Sequence, residues 1–270
     1  MFYKVFERRD DMLKINGGDN FKLSKLCSCR KDDIMLLWFL EDNPSCSAWV
    51  DDIDQPEEAI IIAADFCYLL GEVKHPADIE QILEANAHYK VIIPCGAQWV
   101  TYLNEYLSEK VNCYKRYAIK HEPDVFNKNY LKQLIEKVTP EYEIKPIDDE
   151  IYKKVLNIDW AADGCCFFRS YEDFNKNGLG YVAFKDGKLI CIASSYNTYK
   201  STIGVTIGTL EDYRRKGLAA ACAASLILEC LKRGIYPAWE AANMASVALA
   251  EKLGYHFDKE FDVYSLKENA

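Results

Sequence analysis

No apolar stretch in this 270-residue chain approaches the roughly 20 residues that a membrane-spanning helix requires. The opening stretch, MFYKVFERRDDMLKINGG, also lacks the basic start, apolar core and small-residue cleavage site of a secretory leader, so the expected setting is the cytoplasm. Excess positive charge is missing too. The 33 Lys and Arg face 42 Asp and Glu, a formal net charge of -9, which argues against a nucleic-acid or anionic-membrane partner held by bulk electrostatics. Metal-ligand spacing is equally scarce. The histidines His75, His88, His121 and His256 are dispersed, and neither Cys27-Ser28-Cys29 nor Cys165-Cys166 has the two-residue gap or the second half of a zinc site, so no metal is expected. The 11 cysteines are odd in number and scattered. Cys67, Cys95, Cys191, Cys222 and Cys230 lie in apolar segments and read as buried, reduced thiols.

What is present is a globular composition: half the residues are hydrophobic and 13% aromatic, enough for one large domain or two ordinary ones. DDIMLLWFLED reads as a helix capped by Asp32 or Asp33, and EEAIIIAADFCYLLGEV as one or two buried strands. HPADIEQILEANAHY follows as a helix with Pro76 in its first turn, KVIIPC as a short strand, AQWVTYLNEYLSEK as a helix and VNCYKRYAIKHE as a strand. This first half shows an α/β alternation and no catalytic constellation. FNKNYLKQLIEKV reads as a helix ending before Pro140, and the change of character there sets an expected boundary between domains 1–139 and 140–270. Beyond it come a strand in YEIKPID, a helix in DEIYKKVLNI, a polar helix or turn in YEDFNKNG, and a hairpin turning at Asp186-Gly187. A third strand, STIGVTIGTL, completes an expected antiparallel meander.

The stretch TIGTLEDYRRKGLAAACAASLILECLKRG then runs from strand through a short basic loop into a helix expected over 218–232. Unpaired backbone N–H groups at a helix start converge on one spot that favours a phosphate, and Gly217 clears the approach to it. The loop has neither the Walker spacing nor Gly-x-Gly-x-x-Gly. Instead, Arg214-Arg215-Lys216-Gly217-Leu218-Ala219 resembles the pyrophosphate-binding loop, Arg/Gln-x-x-Gly-x-Gly/Ala, of the GNAT superfamily of acyl-CoA-dependent N-acyltransferases. The family sets this loop after a strand that meets the pantetheine arm, here Ile207, Gly208 and Thr209. It follows the loop with a long helix, a further strand, here IYPAWEA, and a helix opened by Asn243 and Ser246 and closed by Leu253-Gly254-Tyr255. Within the superfamily, the run from Thr209 through Tyr213-Arg214-Arg215-Lys216-Gly217 and the Trp239 strand look most like the zwittermicin A resistance acetyltransferases.

The resemblance covers 140–270 and implies an α/β (α+β) class: an acyl-CoA N-acyltransferase fold with a mixed, largely antiparallel sheet flanked by helices. The preceding α/β domain is either a degenerate GNAT-like copy or an unrelated substrate-recognition domain. The implied ligand is acetyl-CoA. Ile207 and Thr209 would bond pantetheine through their main chains, amides from Arg215 to Ala220 would grip the pyrophosphate, and Arg214, Arg215 and Lys216 would add charge. The sequence departs from the family in two places: no glutamate lies on the strand before the loop, and Ala250 stands where many members carry a tyrosine acid. Glu240 as base and Tyr255 as acid are the substitutes. Asn243 and Ser246 serve as helix cap or cofactor contact. The expected reaction is acetyl transfer to a primary amine of a small metabolite or antibiotic, by a monomer or homodimer. The alternatives are a non-catalytic acyl-CoA-binding module and a peptide or protein N-acetyltransferase.

Overall fold

A computed structural model describes residues 11–15 and 17–268; the stretch up to Asp10, part of the segment read for a leader, lies outside the described residues. The chain divides into two compact units, one formed by 1–114 with 262–270 and one by 115–261.

In the first unit, β1 (Leu13–Ile15) leads to helical turns around α1 (Ser24–Cys27) and then to α2 (Ile34–Leu40). Asp33 caps α2, accepting from the amides of Met35 at 3.0 Å and Leu36 at 3.4 Å, and it also accepts from the Tyr68 hydroxyl at 3.0 Å. The buried run expected as one or two strands is two, β3 (Glu58–Ala63) and β4 (Phe66–Gly71), preceded by β2 (Cys46–Val50). Then come α3 (Pro76–Asn86), β5 (Val91–Cys95), and α4 (Ala97–Thr101), which widens into a π-helical turn over Tyr102–Tyr106. Strands β1 to β4 form successive antiparallel pairs, and β5 joins β4 in parallel through the α3 crossover. Ile60, Ile62, Leu69, Ile79, Leu83, Ile92, Trp99 and Leu103 form the core.

Beyond β6 (Val111–Ile119), the second unit contains α5 (Lys128–Glu136), β7 (Glu143–Pro146), α6 (Asp149–Leu156) and α7 (Tyr171–Asn177). The meander follows: β8 (Gly180–Lys185), β9 (Lys188–Tyr199) and β10 (Thr202–Thr209). Asp186 and Gly187 take φ of 49° and 76°, as the predicted two-residue hairpin turn requires. Helix α8 (Leu218–Arg233) leads to β11 (Tyr236–Ala238), β12 (Glu240–Ala241), α9 (Met244–Leu253) and β13 (Phe257–Leu266). The sheet order is β11-β10-β9-β8-β7, antiparallel except for the β10–β11 pair. The far end of β13 belongs to the first unit, where Tyr264 pairs with Ile92.

Two expectations are corrected. The division lies at 114/115 rather than 139/140, because Leu131 and Leu134 of α5 pack with Cys222, Ala223 and Ile227 of α8 in the second unit's core. IYPAWEA is not one strand. It breaks at Trp239, whose ring is buried against Tyr255 at 5.4 Å and whose indole N–H donates to Ser246 Oγ at 3.1 Å; β11 before the break pairs with β10, and β12 after it pairs with β6.

Candidate functional site

That break opens the site. β11 pairs with β10 only through Thr202, Ile203 and Gly204, while β9 accompanies β10 as far as Thr209. From Val205 onward, one edge of β10 therefore presents backbone groups to which no described strand is paired. A register shift between Gly204 and Val205 falls where the strands part. Val205 and Ile207 turn toward the core beneath α8. Gly208 meets Trp160 instead: a Cβ at Gly208 would lie 3.1 Å from the indole ring, so only glycine lets Trp160 pack this closely on the strand.

At the end of β10, the loop is bent into an unusual backbone shape. Arg214 is extended, Arg215 is left-handed at φ 63°, and Gly217 is left-handed at φ 82°. Such alternation turns successive amides toward a common point. Gly217 also stands at the N-cap of α8, a position where Ser, Thr, Asp or Asn would ordinarily supply an oxygen, and no side chain caps the helix. The first helical backbone bond is Ala221 N–H to Gly217 O at 3.0 Å, so the amides of Leu218, Ala219 and Ala220 precede it. Sixteen residues of α8 align their dipoles behind this end. Leu218, Ala220, Ala221 and Cys222 are buried, so small side chains seat the first turn directly on the sheet.

The basic side chains frame this end without filling it. Arg214, Arg215 and Lys216 are exposed; Arg214 Nε donates to Thr209 O at 3.4 Å, and Lys216 Nζ lies 5.0 Å from the Tyr213 ring centroid. Thr209 Oγ1 is hydrogen-bonded with Cys191 at 3.2 Å, which ties this side chain to β9. Beneath the loop, Cys191 and Cys222 are fully buried partners, and the Cys222 thiol is pushed up by its hydrogen bond with Cys191 and by burial. The geometry is that of an elongated ligand with an anionic middle: a strand edge for an extended polar arm and an uncapped helix start for a diphosphate. A coenzyme A thioester has that layout, and the amides, the space at Gly217 and the edge of β10 suit it.

The other expected residues lie elsewhere. Asn243 caps α9, accepting from Ser246 N–H at 3.0 Å, and Ser246 Oγ accepts from Trp239, so both side chains serve the helix start. Tyr255 is a correction: it is 1% exposed, its hydroxyl donates to Pro237 O at 2.7 Å, and burial raises its pKa well above the ordinary tyrosine value, so it is a core residue and not an acid at the cleft. Glu240 sits on β12 just past the break, where the Arg116 guanidinium engages its carboxylate at 2.7 Å; this ion pair fastens β12 to β6. Trp160 and Arg116 escaped sequence reading, because nothing in their local sequence shows which glycine or carboxylate they meet.

The GNAT acetyltransferase family model matches residues 27–264, nearly the whole chain. This protein belongs to the GNAT acetyltransferase family. The crystal structure of a GCN5-related N-acetyltransferase-like protein from Streptococcus suis 89/1591 is 32% identical, with a TM-score of 0.81, covering 93% of this chain and 100% of that one. "Uncharacterized N-acetyltransferase YdfB" of Bacillus subtilis (strain 168) is 28% identical over 170 residues, which span 62% of either protein. A GCN5-related glucosamine N-acetyltransferase region of a fungal multi-domain enzyme shares the fold, with a TM-score of 0.57 at 10% identity over 94% of this chain. The family match spans both units, so the GNAT relationship reaches well upstream of residue 140, where the sequence resemblance began.

Proposed function

We propose that this protein is an acetyl-CoA-dependent N-acetyltransferase acting on a primary amine of a small molecule. The observation that carries this reading is the uncapped α8 start with left-handed Arg215 and Gly217, set at the end of a strand whose edge opens beyond Gly204. When bound, acetyl-CoA supplies an activated thioester. The chain's part is to hold it: amides of 215–220 bind the diphosphate, the exposed main chain of Val205–Thr209 aligns the pantetheine arm, and one amide of that edge polarises the thioester oxygen. β10 carries no carboxylate, and Arg116 engages Glu240, so the rate would rest chiefly on holding the free amine against the carbonyl. The motif from Thr209 to Gly217 supports an amino-bearing antibiotic or related metabolite as the acceptor.

The first unit supports a role without cofactor. Its order repeats that of the second: antiparallel β1 to β4, a helix, then a parallel strand, against antiparallel β7 to β10, a helix, then a parallel strand. At the start of its crossover helix α3, the anion place is taken from within. Buried Glu58 accepts from the Lys74 amide at 2.8 Å and bonds His75 Nδ1 at 2.5 Å. A carboxylate of the chain thus sits where the second unit leaves its amides open. We assign this unit to substrate recognition as a worn copy of the fold, which predicts one CoA per chain.

Thermal unfolding with acetyl-CoA tests the reading. Ligand at 100 times its dissociation constant adds about 2.7 kcal/mol, a rise of about 5–10 °C in Tm. The absent strand carboxylate and Ala250 favour one second reading, a non-catalytic acyl-CoA-binding module. Thiol release with a panel of small amines separates the two: an enzyme frees CoA in proportion to amine, whereas a binder shows the thermal shift alone.

A further inference from the structure

The sheet of the second unit is covered on its two faces by different layers. Ala183, Ile190 and Ala193 pack with α8, whereas Val182 and Ile192 pack on the other face with Val155 of α6, Phe174 of α7 and Cys165 of the loop between those helices. One side chain of this second layer reaches beyond β9. Gly208 of β10 is the cross-strand partner of Ile192, and a Cβ there would lie 3.1 Å from Trp160 Cε3, 3.2 Å from Cζ3 and 3.3 Å from the Trp160 carbonyl oxygen. The indole therefore ends the layer on the strand whose far edge opens beyond Gly204, and it is still 36% exposed. We propose that Trp160 is a cofactor-binding residue, whose indole walls the CoA groove on the face opposite α8 and packs on the branched pantoyl part of the pantetheine arm. This rests on the reading that CoA lies along β10.

The ring is held in position by its own backbone. Ala161 is buried, and Gly164 sits so close to β9 that a Cβ there would come within 2.5 Å of Ile192 Cδ1. Ser194 Oγ donates to Gly164 O at 2.6 Å and fastens the loop at the same point.

Position along the strand selects the part of the ligand. Gly208 is one residue before Thr209, which ends β10, and three residues, about 10 Å, from Val205, where β10 and β11 part. With the diphosphate on the amides of 215–220, the carbon bearing two methyl groups is the first apolar part of the arm and falls beside Thr209 and Gly208. The thioester falls toward Val205, away from the indole. An aromatic face buries methyl groups and leaves the amides of the arm to the strand edge.

The test titrates CoA, acetyl-CoA and ADP, which has the diphosphate without the arm, into the full-length protein and its Trp160→Ala and Trp160→Phe variants by calorimetry, with ADP read by competition against CoA. Trp160→Ala should weaken CoA and acetyl-CoA alike, by about tenfold, and leave ADP unchanged. Trp160→Phe keeps a ring and should lose less. CoA should move the wild-type tryptophan emission to shorter wavelength, ADP should not, and Trp160→Phe, which retains the other four of the five tryptophans, should abolish the shift. Should Trp160→Ala fail to fold, the emission and the Trp160→Phe titration decide. The inference is overturned if the Trp160 variants bind CoA as tightly as the wild type, if ADP weakens by the same factor as CoA, which marks a loosened loop, or if CoA and acetyl-CoA diverge, which puts the indole at the thioester. A wild type that binds no CoA overturns the proposed function together with this inference, whereas a wild type that binds it and gives any of the other results overturns this inference alone.

Discussion

Replacing Gly217 separates the backbone's contribution from that of charge. A Cβ at Gly217 meets nothing within 4 Å, so Gly217→Ala carries no clash; its cost is holding an L-residue at φ 82°. That cost is about 1–2 kcal/mol, a fall of about 2–8 °C in Tm. If the loop relaxes before binding, the same energy reappears as about 5–30-fold weaker CoA. Gly217→Glu keeps the strain and adds a carboxylate at the helix start. At about 5 Å from one phosphate charge, and with an effective dielectric between about 80 and 20, repulsion amounts to about 1–3 kcal/mol. Glutamate should therefore bind CoA about 5–150-fold more weakly than alanine at similar thermal stability. Titration calorimetry at low and at 0.5 M salt is the assay, and the gap between the two variants should shrink with salt. Equal CoA affinity in the alanine and glutamate variants would refute the placement of the diphosphate at this helix start.

Three further substitutions probe the same unit. Lys216→Ala removes one exposed charge beside Tyr213 and should weaken CoA less than tenfold, the loss fading at high salt; calorimetry against ionic strength checks this. Tyr255→Phe leaves the buried Pro237 carbonyl without its donor, a cost of about 1–3 kcal/mol, and should lower Tm while leaving kcat below the transition unchanged. A hundredfold drop in kcat would restore Tyr255 as an acid. Glu240→Gln discharges the partner of Arg116 and should reduce stability while changing kcat less than tenfold; a loss beyond a hundredfold across the pH profile of thiol release would make Glu240 the base.

Features set by neighbours in sequence were legible. Asp33 caps α2 because the cap is a bond to residues two and three further on, and the Asp186-Gly187 turn follows from the conformations those residues tolerate. The basic loop and α8 were legible for the same reason: strand, Gly217 and small-residue helix are consecutive. What escaped depends on partners distant in the chain. The break at Trp239 is driven by burial against Tyr255 and by competition between β10 and β6 for one segment. Nothing around Glu58 announces that its carboxylate would fill the start of α3, and nothing around Trp160 announces its packing on Gly208. The expected boundary at 139/140 followed a proline, whereas the units are divided by which core α5 joins.

A crystal structure with CoA bound tests the central claim most directly. The account predicts one CoA per chain, its diphosphate within hydrogen-bond distance of main-chain amides between Arg215 and Ala220 and its pantetheine arm along the edge of β10 from Val205 to Thr209. A diphosphate seated anywhere else, or a second CoA at the start of α3, would contradict it.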